Sequence, residues 1–448
     1  MDRQVKFVEP AKLYGMIKEE LDAAYYEVMS KGDLIDRGQL KRFEENLAAF
    51  VGTKYAVGLN SGYDALHMSL RAAGIGAGDA VIVPAHTFVA TASAVVNVGA
   101  RPVLVDVGKD FNIDCDRVEE LLATADRDGE GRIKAIIPVH LSGYMADMAR
   151  VMELAERYRL VVIEDACQSL GAGMERTNTV HRQQQAGGDR QEETGAHHEA
   201  RRRRKKLAKQ SGDLFGEATG AVAIGAAAPK ATVTGSVSPA PEKISDGWGR
   251  AGSWGLTGCW SFYPFKILGG YGDGGAITTN NPEIALFATR MRYNGEDRQT
   301  GEYHGHGFTC LLDNLQAAFL DVKLRYLPQW IIRRQAIAAR YRAALSDLSD
   351  LLLPHYDDPR RDHVYQNYTV RSRQGNDFSE YLKSRGVEVL TQFRKPYYRH
   401  EALKLEDRDF PETEALSREV CSLPMNVEIA DDEVDYVITV VRSFYGKT

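Results

Sequence analysis

Four short runs constrain the fold more than anything else in this chain: "DAVIVPA" (79–85), "RPVLVDV" (101–107), "KAIIPVH" (134–140) and "LVVIEDA" (160–166). Each is rich in Val and Ile and apolar almost throughout, without the alternation of a half-exposed strand. Such runs are strands covered on both faces. Between them lie helical patterns such as "YDALHMSLRAAG" and "DMARVMELAERYR". Strands alternating with helices predict a mostly parallel α/β sheet flanked by helices on both sides. Further on, "LDNLQAAFLDVKL" opens a long helical stretch, and one convincing strand, "NYTVRSR" (367–373), follows it. The chain therefore divides into an N-terminal segment (1–30), a large α/β domain (31–280), and a long helix with a smaller C-terminal α+β domain (281–448).

Residues 176–248 do not follow this pattern. Their first half, "RQQQAGGDRQEETGAHHEARRRRKKLAKQ", is charged and Gln-rich; their second is Gly, Ala, Ser and Pro. Neither half has the large apolar residues needed to offset ordering entropy, so the expectation is a disordered insertion in the large domain. "RRRRKK" (201–206) is a solvated basic run in such a loop, and His197–His198 has no companion ligands for a metal.

Composition excludes several classes of function. A net charge of -6 argues against a nucleic-acid protein driven by overall electrostatics. No apolar run approaches a membrane span, and "MDRQVKFVEPAKLYG" lacks an apolar signal core. The five cysteines are scattered, without a CxxC pair, so neither a disulfide framework nor a zinc site is expected. A reducing cytoplasm suits them best. With no HExxH and no Walker loop, no metal site is expected.

The chemistry concentrates around "CWSFYPFKILGGYGDGGAITT" (259–279), where Lys266 stands between an aromatic run and a glycine-rich turn. Alone it reads as a surface lysine beside a turn, since most lysines are solvated. "NSGYDALHMSL" places Ser61, Gly62, Tyr63 and Asp64 at a helix start, where free N–H groups form an anion pocket, or simply a helix cap. "VVIEDACQS" ends a buried strand with Glu164 and Asp165, then Gln168; ligands bind at the carboxyl ends of parallel strands, though a surface carboxylate fits as well. "PAHTFVAT" brings Phe88 to the same edge, although a phenylalanine by itself belongs to the core. Together these match the needs of pyridoxal 5′-phosphate: a lysine to hold it, a carboxylate for the ring nitrogen, an aromatic over the ring, and a helix N-terminus with a hydroxyl for the phosphate. "GYGDGG" also satisfies GxGxxG, but "AITTN" after it reads as a strand and not as the helix a dinucleotide site requires.

"SFYPFKILGGYGDGGA", "EDACQS", "SGYDALH", "VPAHTFVATASAVVNVGARPVLVDV" and "SLPMNVEIADDEVDYVI" resemble the DegT/DnrJ-type, aminosugar-forming branch of the fold-type I pyridoxal-phosphate aminotransferases. The resemblance runs from about residue 30 to the C-terminus and skips the insertion. It implies a seven-stranded-type sheet, and it gives each residue a role. Lys266 is the Schiff-base lysine, Asp165 pairs with the pyridine nitrogen, Gln168 contacts the ring hydroxyl and Phe88 stacks on the ring. The Gly62 and Tyr63 amides and the Ser261 hydroxyl hold the phosphate. In "GFTCLLDNLQAA" (307–318), Thr309 and Leu311 replace the family's usual Asn and Arg; that Asn usually reaches the neighbouring subunit's phosphate, and Thr309 keeps a hydroxyl there. Dehydratases of the family carry histidine where this chain has Lys266, so transamination is favoured.

The expected activity is amino transfer from glutamate or glutamine to a keto sugar, nucleotide-linked, in a cytoplasmic homodimer whose sites Asn294, Tyr303 and Thr309 complete across the interface. No nucleic acid and no membrane is expected as partner. A cyclitol ketone substrate, a sugar dehydratase and a non-catalytic cofactor-binding regulator are the alternatives. "QFRKPYYRH" (392–400) offers Arg394, Lys395, Tyr397 and His400 either to a sugar or diphosphate or to solvent.

Overall fold

The computed structural model describes residues 3–125, 131–176, 247–354, 358–405 and 408–447. Helices α1 (Pro10–Met16), α2 (Lys18–Lys31) and α3 (Gly38–Val51) lead into strand β1 (Tyr55–Leu59). Helix and strand then alternate: α4 (Gly62–Ala72), β2 (Ala80–Pro84), α5 (Val89–Asn97), β3 (Arg101–Val105), α6 (Cys115–Thr124), β4 (Ile133–Ile136), α7 (Met148–Tyr158) and β5 (Val161–Asp165). A short hairpin, β6 (Gly173–Glu175) with β7 (Trp248–Arg250), precedes β8 (Thr257–Ser261) and β9 (Gly275–Thr279). After α8 (Pro282–Met291) and the small pair β10 (Glu296–Asp297) and β11 (Glu302–Tyr303) comes the long helix α9 (Asn314–Leu345). The C-terminal part holds β12 (Leu351–Leu352), β13 (Tyr368–Ser372), α10 (Gly375–Ser384), α11 (Pro411–Glu419), β14 (Val420–Leu423) and α12 (Asp431–Phe444).

Seven strands form one sheet in the order β1-β9-β8-β5-β4-β2-β3. β9 pairs antiparallel with both neighbours, and every other pairing is parallel. The mostly parallel sheet read from the four hydrophobic runs is therefore present. All five residues of β2 are buried, as a strand covered on both faces must be. Only β4 falls short of its run. Pro138 has no N–H to give to the ladder, so regular pairing stops at Ile136 and resumes as a single bridge, Val139 to Asp165.

A second core lies under the three-stranded sheet β12-β13-β14, built from Tyr341 and Leu345 of α9, Tyr368, Val370, Phe378 and Val437. The chain's first residues belong to it. Val5 is buried there and bridges Val387. Conversely Tyr397, Tyr398 and Phe410 pack into the core of the large sheet, so the segment that follows β13 returns to that sheet.

Glu175 pairs with Trp248 across the β6–β7 hairpin, and the Arg176 guanidinium donates to the Ser253 carbonyl (3.0 Å) and lies 4.8 Å from the Trp254 ring centroid. Arg176 and Trp248, which composition assigns to the insertion, thus belong to built structure; the rest of the 176–248 reading, with "RRRRKK" and His197–His198, lies outside the described residues. No described helix is long and apolar enough to cross a membrane.

Candidate active site

Asp165 ends β5 in the middle of the sheet and is 6% exposed. Its main chain is tied to both neighbours: its N–H donates to the Pro138 carbonyl (2.9 Å), and the Ala166 N–H donates to the Cys259 carbonyl (3.0 Å). Its Oδ2 accepts from the Thr91 hydroxyl at 2.9 Å, which commits the Thr91 hydrogen, so in the 3.0 Å contact between Thr87 and Thr91 it is Thr87 that donates. Oδ1 accepts from the Cys167 N–H at 3.3 Å. No cation pairs with this carboxylate among the described residues. Sequence reasoning missed the two threonines; their signal was a pair of hydroxyls flanking the start of α5, Thr87 just before its N-cap and Thr91 in its first turn.

Glu164, the next residue back, points to the other side of the strand. It is fully buried and accepts from the N–H groups of Gly252 (2.8 Å), Trp254 (2.7 Å) and Gly255 (2.8 Å) and from His140 Nε2 (3.1 Å). The Ala146 N–H donates to His140 Nδ1, which places the imidazole proton on Nε2. Glu164 is thus neither a surface carboxylate nor a site residue: it organises the turn that enters β8.

At the start of α4, the Ser61 hydroxyl accepts from the Asp64 N–H (3.1 Å) and donates to its carboxylate (2.7 Å), while burial pushes the Asp64 carboxyl up. The Gly62 and Tyr63 N–H groups remain as the open donors of the first turn. Gly62 is required by proximity: a Cβ there would stand 2.8 Å from both Cys167 Sγ and Ser261 Cβ. The Tyr63 side chain is engaged elsewhere, its hydroxyl accepting from Asn97 (2.6 Å) and its ring stacking on His67.

Lys266 lies in the turn after β8. Phe262 is buried against Phe43, whereas Tyr263 and Phe265 are exposed, which explains how one aromatic run serves both core and rim. The Lys266 N–H donates to the Tyr263 carbonyl (2.9 Å), and Gln366 grips both flanking peptides, accepting from Ile267 (2.6 Å) and donating to Phe265 (2.9 Å). The Cys167 thiol senses the whole corner: burial and then the Asp165 charge push it well up, and the Lys266 charge pulls it down. Asp165, which takes the Cys167 N–H, and Gly62, whose absent Cβ would lie between Cys167 and Ser261, thus meet at Cys167, and the Lys266 charge is near enough to act on its thiol.

Gln168 is buried and its Oε1 accepts from the Ser142 N–H (2.8 Å), leaving its amide nitrogen. Phe88, which by residue type belongs to a core, is 60% exposed at the N-cap of α5. Thr309 stands apart, donating to Asn294 (3.0 Å), with no described contact to Asp165, Ser261 or Lys266. Leu311 bridges Leu59, a backbone role that needs no arginine. Of the 392–400 segment, Arg394 is spent on the Arg418 carbonyl and the Ser379 hydroxyl, and Tyr397 on the Pro84 carbonyl; Lys395 and His400 stay exposed. Gly275, third glycine of GxGxxG, opens strand β9, so the dinucleotide reading has no helix to rest on.

A mostly parallel sheet with an acidic residue at a central strand end, next to a lysine-bearing turn and a helix N-terminus, has the ligand-binding edge of an α/β enzyme. The chain belongs to the DegT/DnrJ/EryC1/StrS aminotransferase family, whose model matches residues 16–188 and 225–442, and whose members are pyridoxal-phosphate-dependent. It is 32% identical to a dTDP-3-amino-3,4,6-trideoxy-alpha-D-glucose transaminase of Streptomyces venezuelae, over 98% of this chain and 96% of that one. It is 31% identical to a pleiotropic regulatory protein of Geobacillus stearothermophilus, over 98% of both. Its fold is similar to the crystal structure of S. venezuelae DesV in complex with a ketimine intermediate (TM-score 0.78, 31% identity, 99% of each chain).

Proposed function

We propose that this protein transfers an amino group from glutamate or glutamine to the carbonyl of a nucleotide-linked keto sugar, in the cytoplasm and as a homodimer. The Streptomyces relative, named for a dTDP-linked amino sugar, supports that substrate class. The observation that carries the reading is Asp165: a carboxylate this buried is stabilised by a cation, and its described partners are one hydroxyl and one N–H. A protonated pyridine nitrogen fits that need. Gly62 supports the fit, since its missing side chain keeps the anion-binding helix start against Ser261.

In this reading the Gly62 and Tyr63 amides and the Ser261 hydroxyl bind the phosphate, Phe88 covers the ring, and the Gln168 amide reaches the ring hydroxyl. Bound pyridoxal phosphate supplies an electron sink for the bonds broken at the donor's α-carbon. The protein holds charge and moves protons. Asp165, fixed by Thr91, keeps the ring nitrogen protonated. The Lys266 amine takes the proton from the donor's α-carbon and gives one back at the sugar carbon. Thr309, with Asn294 and Tyr303, serves the site of the other copy.

Lys266→Ala tests the reading. The variant should still bind cofactor through Asp165, Ser261 and the helix start, yet lose turnover, and borohydride should fix a pyridoxyl group only in wild type. Peptide mapping that found the label on another lysine would end it. A regulatory role takes support from the name of the Geobacillus relative; a stoichiometric half-reaction with glutamate, read by cofactor absorbance, excludes a silent regulator.

A further inference from the structure

Lys323 is the one buried lysine among the described residues, 3% exposed on α9, within the unremarkable helical stretch "DVKLRYL". No carboxylate lies within ion-pair distance of it among those residues, and Glu428 acts on it only at longer range. Its Nζ instead donates to the Gly269 carbonyl at 2.7 Å and sits 3.8 Å from the centroid of the Tyr271 ring. Seven residues earlier on the same helix face, Gln316 Oε1 accepts from the Tyr271 N–H at 2.8 Å. Both contacts fall on the turn that carries Lys266. With Gln366 holding the peptides on either side of Lys266, the turn is pinned before and after the lysine. It is also folded tightly upon itself, since a Cβ at Gly269 would collide with the Pro264 carbonyl.

A buried ammonium is costly, and one hydrogen bond and one aromatic face offset that cost only in part. Methionine would fill the same space against Tyr271 without it. What the ammonium adds is a directed grip on one carbonyl, three residues after Lys266. We propose that Lys323 is a positioning residue: through the Gly269 carbonyl, and with Gln316, it sets where the Lys266 amine stands. This rests on Lys266 being the reactive lysine.

The test compares wild type, Lys323→Met, Lys323→Gln and Gln316→Ala, each as purified apo-protein mixed with pyridoxal phosphate, following the rise of visible absorbance and the equilibrium cofactor affinity. Lys323→Met should capture the cofactor roughly tenfold more slowly, a misplaced amine being a poor nucleophile. Lys323→Gln, which keeps a donor for Gly269, should recover most of the rate, and Gln316→Ala should slow capture in the same sense. A capture rate in Lys323→Met equal to wild type overturns the proposal. So does equal slowing in the Met and Gln variants, which would mean packing alone. Should Lys323→Met fail to fold, wild-type capture by Gln316→Ala overturns it. Mapping the borohydride-fixed label in wild type keeps the two readings distinct: a label elsewhere than Lys266 refutes the Lys266 assignment, whereas a label on Lys266 with unchanged capture by the variants refutes Lys323 alone.

Discussion

Adjacent carboxylates at the end of β5 show how one strand serves two purposes. Glu164 spends its lone pairs on three backbone N–H groups and a histidine, and Asp165 faces the open corner with one donor on each oxygen. Their opposite environments follow from the period of a strand; the sequence pattern alone did not separate the two carboxylates, and it was the family resemblance that singled out Asp165. Gly62 offers a sharper test of that corner. Its Cβ would meet Ser261 and Cys167 at 2.8 Å and the Trp260 carbonyl at 3.2 Å, and a backbone carbonyl cannot rotate away. Gly62→Ala should therefore cost about 1–3 kcal/mol of stability and weaken cofactor binding more than a surface change would. Denaturant melts with a cofactor titration check it, and wild-type values for both would show the corner to be slack. Lys323 makes a signed prediction with pH. Burial pulls its ammonium down from 10.5 to about 8, so between those values the unfolded chain binds more protons than the native one. Wild type should thus gain up to about 3 kcal/mol relative to Lys323→Met as pH rises from 8 to 10.5, with no such drift below 8. Tyr271, facing it, is pushed up by burial to about 12 and stays protonated through that window. A stability difference independent of pH would mean that the folded and unfolded chains hold the Lys323 proton equally tightly, so that burial does not disfavour its ammonium.

At the level of elements, what could be read were features carried by local pattern. β2, β3, β5 and β13 appear within a residue or two of their hydrophobic runs, because apolar β-branched stretches have few other uses. The Lys266 turn was legible because aromatic, lysine and glycine types cluster there. What stayed hidden depends on approach in space. Lys323 sits in a long helical stretch that gives it no special mark, and only the fold of the glycine turn buries it. Val5 joins a core more than three hundred residues away, which no local pattern announces. Composition also ran past the true edges of the insertion, since a three-residue strand such as β7 is too short to show a period. The hairpin carries its own prediction. With Glu175 opposite Trp248, and the Arg176 N–H donating to the Gly247 carbonyl, the chain leaves and returns at one point. Replacing residues 177–246 by a short glycine linker, keeping Arg176 and Trp248, should leave thermal stability and cofactor binding close to wild type. Insoluble protein, or a lost cofactor spectrum, would show that the segment is needed for the fold. A defect confined to the sugar half-reaction would assign it to substrate handling.

Across the whole molecule, several large aromatic side chains stand in solvent. Phe88 is exposed at the N-cap of α5, Tyr263 and Phe265 in the turn after β8, and Tyr303 is 69% exposed on the small β10–β11 pair. Thr309 and Asn294 hydrogen-bond to each other at the surface, with no described hydrogen bond from either side chain to a cofactor-binding candidate of their own chain. The family resemblance implies that this segment completes the site of a neighbouring copy, and an exposed polar pair next to the exposed Tyr303 suits that role. The expectation is a homodimer in which Asn294 and Thr309 act in trans, and mixing two defective proteins tests it directly. Lys266→Ala lacks the reactive amine, and the double variant Asn294→Ala, Thr309→Ala lacks the lent residues, so each homodimer should be nearly inactive. After unfolding and refolding the two together, mixed dimers contain one site with both defects and one with neither. Random reassortment of equal amounts should then restore about a quarter of wild-type activity. If the lent residues served their own chain, every site in the mixture would carry a defect and nothing would return. A double variant with wild-type activity, or a mixture as inactive as its parts, would therefore refute the shared site, and light scattering of wild type would tell whether the dimer itself survives that result.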